Sequence, residues 1–319
     1  MGAHRGRYAP SPTGAIHLGN ARTALLAWLD ARHAGDSFVL RVEDLDRARI
    51  PEGAEARLLE DLRWLGLDWD EGPDVGGRHA PYRQSERTEL YDLFLRGLIE
   101  SGSAFLCACS RADVARAASA PHAEDDEGPR YPGTCRDLPR EEVEARAAAQ
   151  GRRPSVRFRG GQRDVAVDEL QGPVFPAVGG VDDFVLRRAD GTASYQLAVV
   201  IDDVTMGIQR VVRGADLLGS TLRQVALYKA LAKPVPTFVH VPLVLAPGGE
   251  RLAKRTRPVS IADLRARGVS AETVVGALGA SAGLCPQGIR REARHLKTSY
   301  ELWRVGNQPV VLDGSKLSP

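Results

Sequence analysis

The sequence predicts an α/β fold, in which helices pack on the faces of a parallel sheet. Two stretches of the chain alternate between strand-like and helix-like patterns, as such a fold requires. The first stretch covers residues 7–101 and the second covers residues 194–245, with a cysteine-bearing interruption between them. We therefore expect one main fold that carries an insertion between its two halves.

In the first stretch, breaker residues and apolar spacing define each element. Two prolines and a glycine in residues 10–14 predict a loop. Leu18, Leu25 and Leu29 fall on one helical face, and residues 37–42 form an apolar run typical of a buried strand. The expected elements are a strand end at 7–9, a loop at 10–14, a helix at 18–33, a strand at 37–42 and helices near 52–66 and 84–101.

The middle of the chain interrupts this pattern and then returns to it. Residues 107–135 contain three of the four cysteines and an acidic stretch at 123–129. The tail after residue 305 follows no periodic pattern. The remaining expected elements are a helix near 139–150, short strands around 154–188, a strand at 194–200, a helix at 216–231, an extended segment at 236–245 and two short helices near 260–283.

Composition limits the class of protein. The chain has 319 residues, of which 43% are hydrophobic and 26% charged, so it can bury a core as one large or two modest domains. A net charge of +2 permits an RNA partner without requiring one. No apolar run reaches the roughly 20 residues that cross a bilayer, and the first residues lack a signal-peptide core. We predict a cytoplasmic protein with no membrane partner.

Two separated motifs have the chemistry of a nucleotide site. At the expected loop-to-helix junction, His17 can donate to a phosphate oxygen and Gly19 lets a nucleotide approach a helix N-terminus. Over the segment 251–255, a basic loop with a central Lys254 follows a glycine turn and can neutralise a departing pyrophosphate. Each motif alone has an ordinary alternative: a helix start with a surface histidine, or a solvated basic loop.

Together, the two motifs resemble the His-Ile-Gly-His-type and Lys-Met-Ser-Lys-Ser-type signatures of class I aminoacyl-tRNA synthetases. The resemblance to glutamyl- and glutaminyl-tRNA synthetases runs over residues 5–285. It rests on the segments 7–14 with 17–19, 41–46, 194–203 and 212–217. It implies a Rossmann-like core, ATP with magnesium as substrate, and catalytic roles for His17 and Lys254. The implied ATP-binding residues are His17, Gly19, Asn20 and Lys254.

The same resemblance implies a site for L-glutamate. Its residues are Arg7, Tyr8, Ala9, Pro10, Ser11, Glu43, Tyr195 and Arg213. An arginine can pair with a substrate carboxylate, Glu43 can hold the α-ammonium group and Tyr195 can donate a hydrogen bond. An arginine on the side-chain carboxylate would reject neutral glutamine by roughly 3–5 kcal/mol. The alternative is that Glu43 and Arg213 take part in structural ion pairs.

The cysteines predict a metal site. Cys107, Cys109 and Cys135 supply three thiolates, and one further ligand would complete a tetrahedral zinc site. From the residues alone, His122 is a candidate for that ligand. The glutamyl-Q tRNA(Asp) synthetase family, which the chain resembles here, pairs Cys-x-Cys with Tyr-x-x-x-Cys, and this implies Tyr131. We expect one structural zinc per chain; the alternative is three reduced cysteines in an ordinary loop.

The predicted organisation has four parts. They are the first half of the catalytic core at 1–106, an inserted acceptor-type, zinc-binding subdomain at 107–188, the second half of the core with the Lys254 loop at 189–257, and a truncated helical stem-contact region at 258–319. The residues after Lys254 are too few for an anticodon-binding domain. Cys285, apart from the other cysteines, is expected to be a plain buried thiol.

The resemblance to the short glutamyl-Q family implies a particular reaction. Its members activate glutamate without tRNA and transfer it to the queuosine base at the anticodon wobble position of tRNA(Asp), so we expect that anticodon stem-loop as partner and a monomeric chain. Three alternatives stay open. They are a truncated enzyme charging the 3′ end of tRNA(Glu), a non-catalytic tRNA-binding relative and a small-molecule nucleotidyltransferase. Ala253 and Arg255 depart from the family pattern beside Lys254 and favour the second.

Overall fold

A computed structural model describes residues 4–117, 130–250, 252 and 259–319. Its strands are β1 (Arg5–Tyr8), β2 (Ser37–Leu40), β3 (Ala104–Cys107), β4 (Ser155–Phe158), β5 (Ala166–Asp168), β6 (Gly172–Val174), β7 (Val185–Arg187), β8 (Arg210–Gly214), β9 (Thr237–Val241), β10 (Val244–Leu245) and β11 (Val310–Val311). Its α-helices are α1 (Leu18–Ala34), α2 (Ala54–Trp64), α3 (Thr88–Glu100), α4 (Arg111–Ala117), α5 (Arg140–Ala149), α6 (Tyr195–Thr205), α7 (Thr221–Ala230), α8 (Ile261–Ala266), α9 (Ala271–Ser281) and α10 (Ala293–Leu296). Within these described ranges, no helix combines the length and the apolar character that a membrane span needs.

The main sheet joins strands from both halves of the chain. It has six strands in the order β2-β1-β8-β9-β5-β6. Every neighbouring pair is parallel except β5 with β6. Helix α1 follows β1 and packs across β1 and β8 with an almost continuously buried surface. The predicted α/β fold with a parallel sheet is therefore confirmed.

The interruption forms a small structure of its own, but it also contributes to the main sheet. Strands β3, β4 and β7 make a separate three-stranded antiparallel sheet. Phe105, Val114 and Val143 form part of a compact core beside it. Strands β5 and β6, which lie inside the predicted insertion at 107–188, instead extend the main sheet next to β9. The long insertion thus adds two strands to the main sheet on the far side of β9.

The strand predicted at residues 194–200 is wrong, because this segment forms the helix α6. The Ser194 hydroxyl accepts from the backbone N–H of Leu197 at 3.3 Å and caps the helix. Most α6 side chains are buried, so the helix lacks a polar face, and its apolar run resembles that of a buried strand. The strand that follows α6 in the chain is β8, and the sequence patterns did not predict it.

Other predicted elements stand close to their expected positions. The helix expected at 18–33 is α1, the helix near 139–150 is α5, and the two short helices near 260–283 are α8 and α9. The tail without periodicity is held by backbone pairing, since β11 lies parallel to β10. Such pairing needs no side-chain pattern, which explains why the sequence did not indicate it.

Candidate active site

A cleft of about 710 Å³ opens where β1 and β8 end and α1 begins. It brings together most residues of the predicted ATP and glutamate sites. The predicted residues that line it are Arg7, Tyr8, Ala9, Pro10, Ser11, His17, Gly19, Asn20, Glu43, Tyr195 and Arg213. Lys254, Ala253 and Arg255 lie outside the described residues, but Leu252 lines the cleft. Leu252, the described residue of the segment 251–255, thus lies at the same cavity as the motif around His17.

His17 serves as the N-cap of α1. Its Nδ1 accepts from the backbone N–H groups of Gly19 at 3.1 Å and Asn20 at 3.3 Å. Burial lowers the pKa of His17, while the charge of Asp216 opposes that shift. A neutral ring that accepts at Nδ1 has its proton on Nε2. His17 therefore has one N–H available to donate into the cleft.

This arrangement corrects the expected role of the helix N-terminus. The N–H groups of Gly19 and Asn20 are already used by His17 and are not free for a phosphate. A Cβ atom on Gly19 would lie 2.9 Å from Cε1 of His17. Gly19 is therefore required by the histidine ring, in addition to any requirement for a nucleotide.

Segments from the end of the core complete this side of the cleft. Pro242, Leu243 and Val244 line it together with His17. The backbone N–H of Ile261 donates to the carbonyl of Ile16 at 2.8 Å. Described residues that precede and follow the Lys254 segment therefore lie beside the start of α1.

The floor of the cleft rests on a buried network of charges. Asp203 accepts from Nη1 of Arg41 at 2.6 Å and from Nε of Arg7 at 3.4 Å. Asp202 accepts from Nε of Arg87 at 2.7 Å and from the Tyr91 hydroxyl at 3.0 Å. All six side chains are buried. Because each charge has an opposite neighbour, the network can exist in the low-dielectric interior.

Arg213 differs from those arginines. It is 4% exposed, and its guanidinium donates to neutral acceptors: Nε2 of His240 at 2.8 Å, the Gln224 amide oxygen at 2.7 Å and the Thr221 hydroxyl at 3.1 Å. Among the described residues, no carboxylate forms an ion pair with it. Burial lowers the pKa of Arg213. A buried cation without an anion at the wall of a cleft suits an anionic ligand.

Glu43 and Tyr195 lie in the same cleft. Oε1 of Glu43 is 3.3 Å from Nη2 of Arg41, so its ion pair is with Arg41 and not with Arg213. Burial raises the pKa of Glu43, against the opposing charges of Arg41 and Arg7. Burial also raises the pKa of Tyr195, which keeps its hydroxyl a donor. The cleft thus offers cationic, anionic and neutral donor groups to one ligand.

The cleft is bordered by a side chamber of about 630 Å³, between the core and the small antiparallel sheet. Ser11, Glu43 and Tyr195 line both cavities. Arginines outnumber acidic residues in its lining. Its charged residues are Arg49, Arg111, Arg152, Arg157, Arg188, Glu43, Asp46 and Asp190. None of these arginines was singled out from the sequence, because isolated arginines follow no pattern.

The predicted metal ligands converge beside β3. The Sγ atoms of Cys107, Cys109 and Cys135 lie within 4.8 Å of one another. The Tyr131 Oη is 3.4 Å from Sγ of Cys107 and 3.8 Å from Sγ of Cys109. A tetrahedral zinc with Zn–S bonds near 2.3 Å sets its sulfur ligands roughly 3.8 Å apart. The four groups fit a zinc ion; His122 lies outside the described residues.

Arg157 supports this cluster and was missed from the sequence. Its Nε donates to Sγ of Cys107 at 3.3 Å, and its guanidinium stacks 4.0 Å from the centre of the Tyr131 ring. Burial opposes ionisation of Cys107, but the Tyr131 hydrogen bond and the Arg157 charge bring its pKa below the usual value. Burial and the neighbouring Cys107 raise the pKa of Cys109 to about 12. Full ionisation of the cluster therefore needs a cation.

Comparisons with known proteins agree with this geometry. The family model of class I tRNA synthetases (E and Q), catalytic domain, matches residues 4–304. The chain is 54% identical to the glutamyl-Q tRNA(Asp) synthetase of Symbiobacterium thermophilum over 98% of this chain and 97% of that protein. It is 51% identical to the protein of that name from Nitratidesulfovibrio vulgaris, over 96% of this chain and 95% of that protein.

Among solved structures, the glutamate-tRNA synthetase from Elizabethkingia anophelis superimposes with a TM-score of 0.84 at 30% identity. The match covers 99% of this chain and 69% of that longer chain. The resemblance therefore extends from the motifs to the whole described fold. The chain belongs to the class I tRNA synthetases (E and Q), and its match along nearly the full length of the glutamyl-Q tRNA(Asp) synthetases places it in that group of ligases.

Proposed function

We propose that the chain activates L-glutamate with ATP, without tRNA, and then transfers it to the queuosine base at the wobble position of tRNA(Asp). The observation that carries the first step is Arg213, a buried cation without a carboxylate partner among the described residues, in the cleft that also holds His17. A ligand with a side-chain carboxylate would supply the missing charge. Full-length similarity to glutamyl-Q tRNA(Asp) synthetases supports the second step.

In the activation step, the α-carboxylate of glutamate attacks the α-phosphorus of ATP, and the bond to the β-phosphate breaks to release pyrophosphate. Arg213 holds the side-chain carboxylate and Glu43 the α-ammonium group, so that the reacting oxygen is positioned. His17 donates its Nε2 proton as a hydrogen bond to a phosphate oxygen. Magnesium accompanies ATP as part of the substrate, and Lys254 neutralises the departing pyrophosphate.

In the transfer step, a hydroxyl of the modified base attacks the acyl carbon of the adenylate, AMP leaves and the hydroxyl proton is released. The side chamber is suited to this step, since it shares Glu43 and Tyr195 with the cleft and has an excess of arginines. In this proposal a splayed anticodon base enters the chamber to reach the activated carboxyl group, and the arginines contact the adjacent phosphates.

Cys107, Cys109, Cys135 and Tyr131 are proposed to hold one zinc ion. The ion would be structural, because four protein ligands leave no open position for substrate. By holding Cys109, which lines the side chamber, the site would fix one wall of the proposed base-binding space.

Glutamate-dependent exchange between ATP and pyrophosphate tests the first step. We expect exchange with glutamate in the absence of tRNA, and little with glutamine or aspartate. Exchange that appears only after tRNA(Glu) is added would favour a truncated enzyme that charges the 3′ end. Absence of exchange under both conditions would favour a binding relative.

An isolated anticodon hairpin tests the second step, because it has no amino-acid acceptor end. We expect labelled glutamate to be attached to the tRNA(Asp) hairpin carrying queuosine. The matched hairpin with unmodified guanosine should remain unlabelled. Labelling of full tRNA(Glu) but not of the modified hairpin would contradict the proposal.

A further inference from the structure

Arg213 is held by a partner that can only accept. Arg213 on β8 lies opposite His240 on β9, and its Nε donates to Nε2 of His240 at 2.8 Å. A guanidinium has N–H donors and no acceptor, so Nε2 of His240 has no proton. Burial lowers the pKa of His240, which favours the neutral ring. The ring proton therefore lies on Nδ1.

Asp168 at the end of β5 selects this tautomer. Its Oδ2 accepts from Nδ1 of His240 at 2.6 Å and from the His240 backbone N–H at 3.0 Å. Its Oδ1 accepts from the backbone N–H groups of Leu170 at 3.0 Å and Gln171 at 2.7 Å. Asp168 and His240 are both fully buried. The carboxylate is thus surrounded by donors and can only act as an acceptor toward the ring.

We propose that Asp168 and His240 are positioning residues that orient Arg213 for the substrate's side-chain carboxylate and thereby set the discrimination between glutamate and glutamine. The inference rests on the proposed glutamate activation. With the other tautomer, Nε2–H of His240 would face Nε–H of Arg213, and the guanidinium would have to turn. Strand β5, inside the segment predicted as an insertion, would then contribute to substrate selection.

The substitution Asp168→Asn tests the tautomer directly. Both carboxylate oxygens accept from N–H groups, so an amide NH₂ must face donors in either orientation. When the NH₂ faces the ring, it forces Nδ1 to accept and Nε2 to donate toward Arg213. We expect the glutamate KM and the calorimetric Kd to rise at least about tenfold, with the KM for ATP unchanged and the preference over glutamine reduced.

A pair of His240 variants separates positioning from packing. His240→Gln places an amide oxygen near the position of Nε2 and should retain more glutamate affinity than His240→Leu, which has no acceptor. Gln171→Ala is the matched control, because within the described part of the chain its side chain donates only to the backbone carbonyl of His240, at 2.8 Å. We expect this control to keep wild-type glutamate affinity and discrimination.

Two outcomes would overturn the inference. The first is a folded Asp168→Asn variant with wild-type glutamate Kd and discrimination. The second is a parallel rise in the KM values for ATP and glutamate, which would indicate a general packing role. If the wild-type chain binds glutamate without catalysing exchange, the proposed function fails, but the change in glutamate Kd still decides the inference. A wild-type chain that does not bind glutamate would overturn both.

Discussion

The cleft at the end of β8 and the cysteine cluster beside β3 differ in the charge that each leaves unbalanced. In the cleft, the cation of Arg213 is buried without a carboxylate partner among the described residues. In the cluster, Cys107 is brought toward ionisation, while burial holds Cys109 protonated unless a cation arrives. The first site therefore suits an anion and the second suits a metal ion.

The buried ion pairs of Asp202 and Asp203 show, for comparison, a region in which the charges are balanced. There, Arg41 and Arg87 meet carboxylates at 2.6 and 2.7 Å, so no charge is left for a ligand. A balanced buried network supports the fold, while an unbalanced one indicates a binding site. The comparison can be tested by removing charge from each region in turn.

Removing the cation of the cleft should have the largest effect. We expect Arg213→Gln to reduce kcat/KM for glutamate in ATP–pyrophosphate exchange by roughly 100-fold or more, because the substrate carboxylate loses its buried partner. The KM for ATP should change little. Arg32→Gln, which removes a half-buried cation paired with Asp68 and Asp70 outside the cleft, is the control and should keep wild-type kinetics. Equal losses in the two variants would contradict the role of Arg213.

Breaking the balanced network should instead lower the stability of the fold. Asp203→Asn leaves Arg41 and Arg7 without their shared carboxylate. We expect the free energy of unfolding to fall by about 3–5 kcal/mol, as measured by denaturant titration. A fall below about 1 kcal/mol, as for a surface pair, would show that the network is less dependent on Asp203 than its burial indicates.

The cysteine cluster should lose metal affinity when its ligands or their support are changed. We expect Arg157→Leu to weaken zinc binding about 10–100-fold, because the charge beside the thiolates is lost. Tyr131→Phe should weaken it at least as much, while His122→Ala should leave it unchanged. Competition with a chromophoric chelator measures all three. The opposite order for Tyr131 and His122 would assign histidine as the fourth ligand.

The smallest expected effect is at the start of α1. Alanine favours a helix over glycine by about 1 kcal/mol, but the Cβ of Gly19→Ala would lie 2.9 Å from the His17 ring. We expect no gain in thermal stability and a rise of several-fold in the KM for ATP, since overpacking costs about 1–3 kcal/mol. A more stable variant with unchanged ATP kinetics would show that His17 accommodates the methyl group.

The sequence was most informative where a pattern repeats or where chemistry demands a residue type. Leucine spacing predicted α1, and the motifs around His17 and Arg213 predicted residues that line one cleft. It failed at α6, because a helix buried on most sides lacks the polar face that reveals a helical period. It also missed Arg157 and Asp168, which act through contacts with residues distant in the chain.

By itself, the sequence determined the α/β class, because that class follows from periodicity, and it indicated the family through the resemblance of its motifs to those of class I tRNA synthetases. It also predicted residue types suited to nucleotide, carboxylate and metal, because their side chains have the chemistry that such ligands need. Only the tertiary structure decided which charges are balanced. Asp203 accepts hydrogen bonds from Arg41 and Arg7, whereas Arg213 donates only to neutral acceptors among the described residues. This difference depends on which side chains the parallel strands bring side by side, and local sequence does not encode distances between residues so far apart.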